Sequence, residues 1–221
     1  MLYNRPYKYF RGNDMAVLFS SGEFTRLKNL LVLYDCALKS ISTRMDILLE
    51  DFKHIQQNNP IEHIKSRLKS PESIAEKLHR LGLEVTAENA RYCLYDIAGI
   101  RVICAYTTDI PLLANIFKRQ PDLTVLIEKD YITIPKASGY RSYHIIFDVP
   151  IILSQETLRM PVEVQIRTQA MDFWASLEHK VRYKFKGNAY VPKHISDELR
   201  ICADKIAELD TRMHQINEIS R

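Results

Sequence analysis

Two carboxylates draw attention first, because each sits against a run of β-branched residues. Asp96 stands just ahead of Gly99-Ile-Arg-Val-Ile-Cys-Ala-Tyr106, and Glu163 lies inside Val162-Glu-Val-Gln-Ile-Arg167. They are a natural pair of hard oxygen ligands for Mg2+, which takes one or two carboxylates and leaves its other positions to phosphates and water. Phosphate-gripping side chains are close by in sequence. The segment His63-Ile-Lys-Ser-Arg-Leu-Lys69, with Lys77 and Arg80, holds five Lys or Arg against only Glu72 and Glu76. Arginine forks and lysine points both bind phosphate oxygens. The loop Lys136-Ala-Ser-Gly-Tyr140-Arg-Ser-Tyr-His144 gathers a lysine, a turn glycine, two tyrosines, an arginine and a histidine within nine residues. Tyrosine rings beside cations suit a base stacked above a phosphate. Each feature also has a plainer use: basic helix ends are usually solvated, and a loop tyrosine often caps a core.

Strand periodicity says how such residues would be brought together. In the run 162–167, Val162, Val164 and Ile166 point one way, and Glu163, Gln165 and Arg167 the other. In 142–149, Tyr143, Ile145, Phe147 and Val149 can fill a core, while Ser142 and His144 share the opposite face with Ile146 and Asp148. Arg101 adds a further cation from 99–106. A polar sheet face of this kind is commonly just solvated, so alternation alone leaves site and solvent both open.

The elements follow from the same patterning. Strands are predicted over 99–106, 123–134, 142–149 and 160–167. Ser70-Pro71-Glu72 opens a short helix ending near Gly82, Thr86 caps one running to about Asp96, Asp109 opens one toward Arg119, and Thr168 starts one through Val181. Apolar residues recur in steps of three and four from Phe24 to Ile55, and again at Ile195, Leu199, Cys202, Ile206, Leu209, Met213 and Ile216. These are two long amphipathic helices, packing on the body or building an oligomer. The fold class is therefore α+β: a mixed β-sheet flanked by helices, with long N- and C-terminal helices.

Composition bounds the functional classes. With 221 residues, 46% hydrophobic and 26% charged, the chain has enough material for one core plus helical extensions. Its apolar runs are far short of the roughly eighteen residues a membrane span requires, so no membrane partner is expected. The N-terminus lacks an apolar signal core, which points to the cytoplasm. Cys36, Cys93, Cys104 and Cys202 have neither metal-ligand spacing nor the density of a disulfide framework, and are expected to be reduced packing residues. A formal charge of +4 argues no nucleic-acid partner by itself.

The blocks Arg67-Leu-Lys69, Asp96-Ile-Ala-Gly-Ile-Arg101, Lys136 to His144, Val162-Glu163-Val-Gln165-Ile-Arg167-Thr and Asp172-Phe-Trp174-Ala-Ser-Leu-Glu178-His179-Lys180 resemble, in order, the synthetase domain of the Rel/Spo alarmone family. The whole chain is similar to its stand-alone small synthetases. The resemblance implies a nucleotidyltransferase-like domain over 59–187, a helical extension over 1–58, and an oligomerisation helix over 188–221. It implies a GTP diphosphokinase that moves the β,γ-diphosphate of ATP to the 3′-hydroxyl of GDP or GTP, making (p)ppGpp and AMP in the stringent response. No His-Asp dipeptide occurs, so the hydrolase half of longer members is expected to be missing. By the same resemblance, Asp96 and Glu163 are the catalytic carboxylates and Mg2+ ligands. Arg67 and Arg101 sandwich adenine, and Lys69, Lys77 and Arg80 approach the ATP phosphates. On the acceptor side, Lys136 and His144 hold phosphates, Tyr140 stacks on guanine, and Gln165 and Asp172 complete the GDP/GTP site. A homotetramer is implied as well. Two competing readings are a related pyrophosphokinase acting on adenine nucleotides or RNA 3′ ends, and a non-catalytic protein binding single-stranded RNA. The retained acid pair opposes the latter, since it repels phosphate unless a metal lies between.

Overall fold

The computed structural model describes residues 21–55, 59–185 and 191–219. The N-terminal segment read for an export signal, and the expected domain boundaries at 58 and 187, lie outside the described residues.

Helix α1 (Ser21–His54) keeps the three-and-four spacing along its length. Leu27, Tyr34, Leu38, Ile41, Met45 and Phe52 are buried on one side of it, where it packs across the strands and against the short helix Ala87–Cys93. Strand β1 (Ile61–Leu68) follows, and then α2 (Pro71–Arg80), where the Ser70 hydroxyl accepts from the Ser73 amide and Pro71 occupies the first turn. Gly82, at φ +71°, ends that turn in a conformation few other residues tolerate. Thr86 caps α3 (Ala87–Cys93) through its bond from the Asn89 amide. This helix stops short of the expected Asp96, because buried Leu94 turns extended at φ −115°, ψ 115° and leaves the acid in the connection to β2 (Ala98–Cys104).

After α4 (Asp109–Lys118) come β3 (Thr124–Asp130), β4 (Tyr143–Ile152) and β5 (Thr157–Thr168). Strand β3 ends four residues before the expected Ile134, because the Asp130 carboxylate accepts the Ile132 and Thr133 amides and turns the chain. Thr168 caps α5 (Gln169–Lys184), and α6 (Lys193–Ile219) closes the described chain.

The strand order is β1-β2-β5-β4-β3. Only β2 and β5 are parallel, so the sheet is mixed as expected. Its fifth strand, β1, is not expected from the sequence. Ile61, Ile64 and Leu68 have helical spacing, and a register irregularity between Ile61 and His63 blurs the alternation. As an edge strand it carries charge toward solvent, a common way of blunting an edge. One face of the sheet, with Ile100, Val102, Ile145, Phe147, Val162, Val164 and Ile166, is sealed by α1 and the short helices. The cysteines are free; Cys104 is buried and Cys36 half-buried against the core, as packing residues, whereas Cys93 and Cys202 are exposed. Among the described residues no helix is long and apolar enough to cross a membrane.

Candidate active site

The second sheet face gathers the polar residues by register. Lys65 of β1 pairs with Arg101 of β2, Arg101 with Gln165 of β5, and Gln165 with His144 of β4. One step along, Arg67 pairs with Gly99 and Gly99 with Glu163. Paired residues share a face, so two cross-strand rows form the floor of a cleft. Lys65, Ser66, Arg67, Gly99, Ile100, Arg101, Glu163 and Gln165 line it. Gly99 places no side chain in its row, leaving space between Arg67 and Glu163.

Asp96 sits at the mouth of β2, where its Oδ2 accepts the Lys69 ammonium at 2.8 Å and the Lys77 ammonium at 2.7 Å. Burial pushes this carboxyl up, but the two lysines outweigh it and hold it below the usual carboxylate range. Its Oδ1 is buried without a hydrogen-bond partner. A buried carboxylate oxygen lacking any donor is costly unless a ligand completes it. Glu163 is near enough for the two charges to be felt. No group of three or more metal-ligating side chains exists among the described residues. One or two carboxylates with lysines alongside fit Mg2+, which draws its remaining ligands from phosphates and water.

Glu163 is held at both oxygens: Oε1 lies 3.0 Å from His144 Nδ1, and Oε2 accepts the Gln165 amide at 2.8 Å. Burial pushes its carboxyl up, yet these two bonds bring it below the usual value, so it is ionised at neutral pH. Behind them Tyr140 places its hydroxyl 2.9 Å from His144 Nε2 and accepts Arg167 Nη2 at 2.8 Å. The Tyr140 ring lies among Tyr131, His144 and Trp174. The Lys136 ammonium stands over the Tyr131 and Tyr140 rings at 4.5 and 4.9 Å.

Asp172, in the first turn of α5, meets Arg101 at 3.1 Å, Arg167 at 3.4 Å and Lys65 at 3.7 Å. Arg67, Lys69, Lys77, Asp96, Arg101, Lys136, Tyr140, His144, Glu163, Gln165 and Asp172 thus lie around one face, with Arg80 exposed at the end of α2. The sequence placed Lys65 in the basic cluster and Arg167 on the polar strand face without an individual site role for either, and gave Tyr131 none. Arg167 was visible as the third polar residue of an alternating strand, but its burial was not.

The loop of Lys136 to His144 is buttressed by α6. Arg141 donates to the Ala203 carbonyl at 3.4 Å and to Asp204 at 3.1 Å. The Trp174 indole donates to the Leu199 carbonyl at 2.9 Å, and the Thr168 hydroxyl to Asp210 at 2.6 Å.

A mixed sheet whose polar face carries an acid pair among lysines and arginines defines a domain built for charged, phosphate-bearing ligands. The chain belongs to the family described as the region found in RelA / SpoT proteins, whose model matches residues 66–188. It is 45% identical over 186 residues to the GTP pyrophosphokinase YwaC of Bacillus subtilis, covering 84% of this chain and 88% of that protein. Its fold matches small alarmone synthetase 2 of Bacillus subtilis with a TM-score of 0.77 and 43% identity, over 86% of this chain and 97% of that one. Small alarmone synthetase 1 of the same organism, solved bound to its product pppGpp, matches with a TM-score of 0.79 and 31% identity, over 86% and 96%.

Proposed function

We propose that this protein is a GTP pyrophosphokinase, moving the β,γ-diphosphate of ATP onto the 3′-hydroxyl of GDP or GTP. The bond from the 3′-oxygen to the β-phosphorus forms as the bond from that phosphorus to the α,β-bridging oxygen breaks, and AMP leaves. The observation that carries the proposal is Asp96 clamped between Lys69 and Lys77 with one buried oxygen unpartnered, on the same face as Glu163. Such transfer needs positioning and charge neutralisation more than a protein nucleophile.

Arg67 and Arg101 receive the adenine of ATP, while Lys69, Lys77 and Arg80 neutralise its phosphates. Lys136 holds acceptor phosphates, Tyr140 stacks on guanine, and Gln165 and Asp172 complete that side; His144, whose two ring nitrogens already meet Tyr140 and Glu163, serves them by orienting the carboxylate rather than by gripping phosphate. Glu163 receives the 3′-hydroxyl proton or lends an oxygen to the metal. Asp96 and Glu163 would hold Mg2+, which supplies positive charge to the diphosphate in transit. Residues 59–187 form the synthetase domain between helical extensions at 1–58 and 188–221, the latter closing a homotetramer in the cytoplasm.

The test is to incubate the protein with ATP, Mg2+ and one acceptor at a time: GDP, GTP, ADP or an RNA 3′ end. Release of AMP dependent on GDP or GTP is the expected result. Release with only ADP or RNA reassigns the acceptor, and retention of RNA without any AMP favours a non-catalytic binder.

A further inference from the structure

We propose that Arg167 is a positioning residue for the transfer, fixing both oxygens of Glu163 through a closed ring of hydrogen bonds that also includes Tyr140. The inference rests on the synthetase reading above and extends it to a residue that no substrate needs to touch. Arg167 is only 2% exposed. Burying a guanidinium is costly unless its donors are used.

Arginine has only donors, so the Arg167 Nη2 contact at 2.8 Å makes the Tyr140 oxygen an acceptor. The one hydroxyl proton of Tyr140 is then left for His144 Nε2, 2.9 Å away. Glu163 Oε1 can only accept, so Nδ1 carries the ring proton and donates to it at 3.0 Å, and in the neutral ring Nε2 accepts the Tyr140 hydroxyl. The second arm leaves the same nitrogen. Arg167 Nη2 also donates to Gln165 Oε1, which orients the amide so that its NH2 group donates to Glu163 Oε2 at 2.8 Å.

Without Arg167, neither orientation is fixed. A flipped Gln165 would turn its carbonyl on the carboxylate, and the other His144 tautomer would turn a lone pair on it. A lysine does not reproduce the arrangement, because its compact ammonium lacks the rigid planar geometry that aims the guanidinium's donors along fixed directions. Of the other two nitrogens, Nη1 meets Asp172 at 3.4 Å and Nε is buried without a hydrogen-bond partner; the guanidinium lies 5.4 Å from the Tyr140 ring. The proposed guanine platform and the proposed catalytic carboxylate thus hang from one side chain.

The experiment compares Arg167→Ala, Tyr140→Phe and Gln165→Leu with the wild type. It measures kcat, KM for each nucleotide, GDP affinity by equilibrium titration without ATP, and thermal unfolding. Tyr140→Phe keeps its ring, so GDP affinity should stay within about twofold while kcat falls roughly tenfold or more. Gln165→Leu should lower kcat similarly, and the double variant should lose about as much as either single one, because the ring acts as a unit. Folded Arg167→Ala should lose about 100-fold in kcat and regain part of it with added guanidinium but not methylammonium. An active wild type whose Tyr140→Phe and Gln165→Leu variants both keep kcat within about twofold overturns the inference alone. So does a loss confined to GDP affinity, or a folded Arg167→Ala variant that guanidinium does not restore. A wild type that releases no AMP overturns the synthetase reading and this inference with it. If Arg167→Ala does not fold, the two single-arm variants decide.

Discussion

Glu163 and Asp172 are both acids on the polar face, yet their surroundings assign them different work. Glu163 accepts from two side chains and is ionised at neutral pH. Glu163→Gln should leave the fold and ATP affinity nearly intact and lower turnover by about 100-fold or more, read by AMP release, since it removes a proton acceptor or metal ligand. Near-normal turnover would assign Glu163 to structure. Asp172 presents a carboxylate that could accept guanine N1–H and its 2-amino group together, a pair adenine lacks. In the structure that carboxylate also neutralises Arg101, Arg167 and Lys65. Asp172→Ala is expected to narrow the preference for GDP over ADP while changing ATP affinity little. An unchanged preference, measured by competing the two acceptors, would make Asp172 a holder of arginines rather than a reader of bases.

Among the elements, α6 sets the loop that bears Lys136 and Tyr140. Gly139 lies at φ +86°, and a Cβ built on it would come 2.5 Å from the Ala203 Cβ of α6. Gly139→Ala therefore combines an unfavourable conformation, about 1 to 2 kcal/mol, with a clash that must push the loop or the helix away. It should raise the acceptor KM several-fold and leave the ATP KM unchanged; equal changes in both would place the damage elsewhere. Asp210, on the same helix, is buried, and burial pushes its carboxyl up against the single hydrogen bond from Thr168. Because its folded pKa exceeds the unfolded value, its contribution to stability is full below the unfolded pKa and is lost as pH rises through the folded one. Where it is ionised it is a buried charge whose hydrogen bond comes from Thr168. Asp210→Asn keeps an oxygen for the Thr168 hydroxyl and should raise the unfolding temperature at pH 7 by roughly 2 to 4 °C. The gain should vanish toward pH 4. A lower unfolding temperature at pH 7 would show that the charge is compensated.

At the scale of the molecule, the predicted heptad of α6 divides into two faces. Ile195, Leu199 and Ile206 are half-buried toward the body, and buried Ala203 and Asp210 continue that face. Leu209, Met213 and Ile216, at 56%, 51% and 57% exposed, point away from it. That outer stripe is where the proposed tetramer contact belongs. Leu209→Lys with Met213→Lys should dissociate the assembly without unfolding the protomer, because neither side chain is part of its core. Light scattering reads the mass and circular dichroism the helix. A wild type that is monomeric at micromolar concentration would end the tetramer proposal.

Periodicity by itself determined the four strands from β2 to β5, the helix starts at Pro71, Ala87 and Gln169, and the side of β5 on which Glu163 and Gln165 lie. These depend on local steric and hydrogen-bonding rules that act within a few residues. The sequence also exposed the acid pair and the Lys136 loop as residue types suited to phosphate and base. Tertiary structure alone decided the rest. That Ile61 to Leu68 is a strand follows from its pairing with β2, a partner some thirty-five residues away, against its own helical spacing. Likewise, α1 spends its seam on the sheet, whereas α6 keeps part of its own exposed, although their patterns look alike in sequence. Arg167 looks like any polar strand residue until β4, the Tyr140 loop and α5 close around it. Which donor meets which acceptor is a property of side chains brought together across four separate segments, and no local rule contains it.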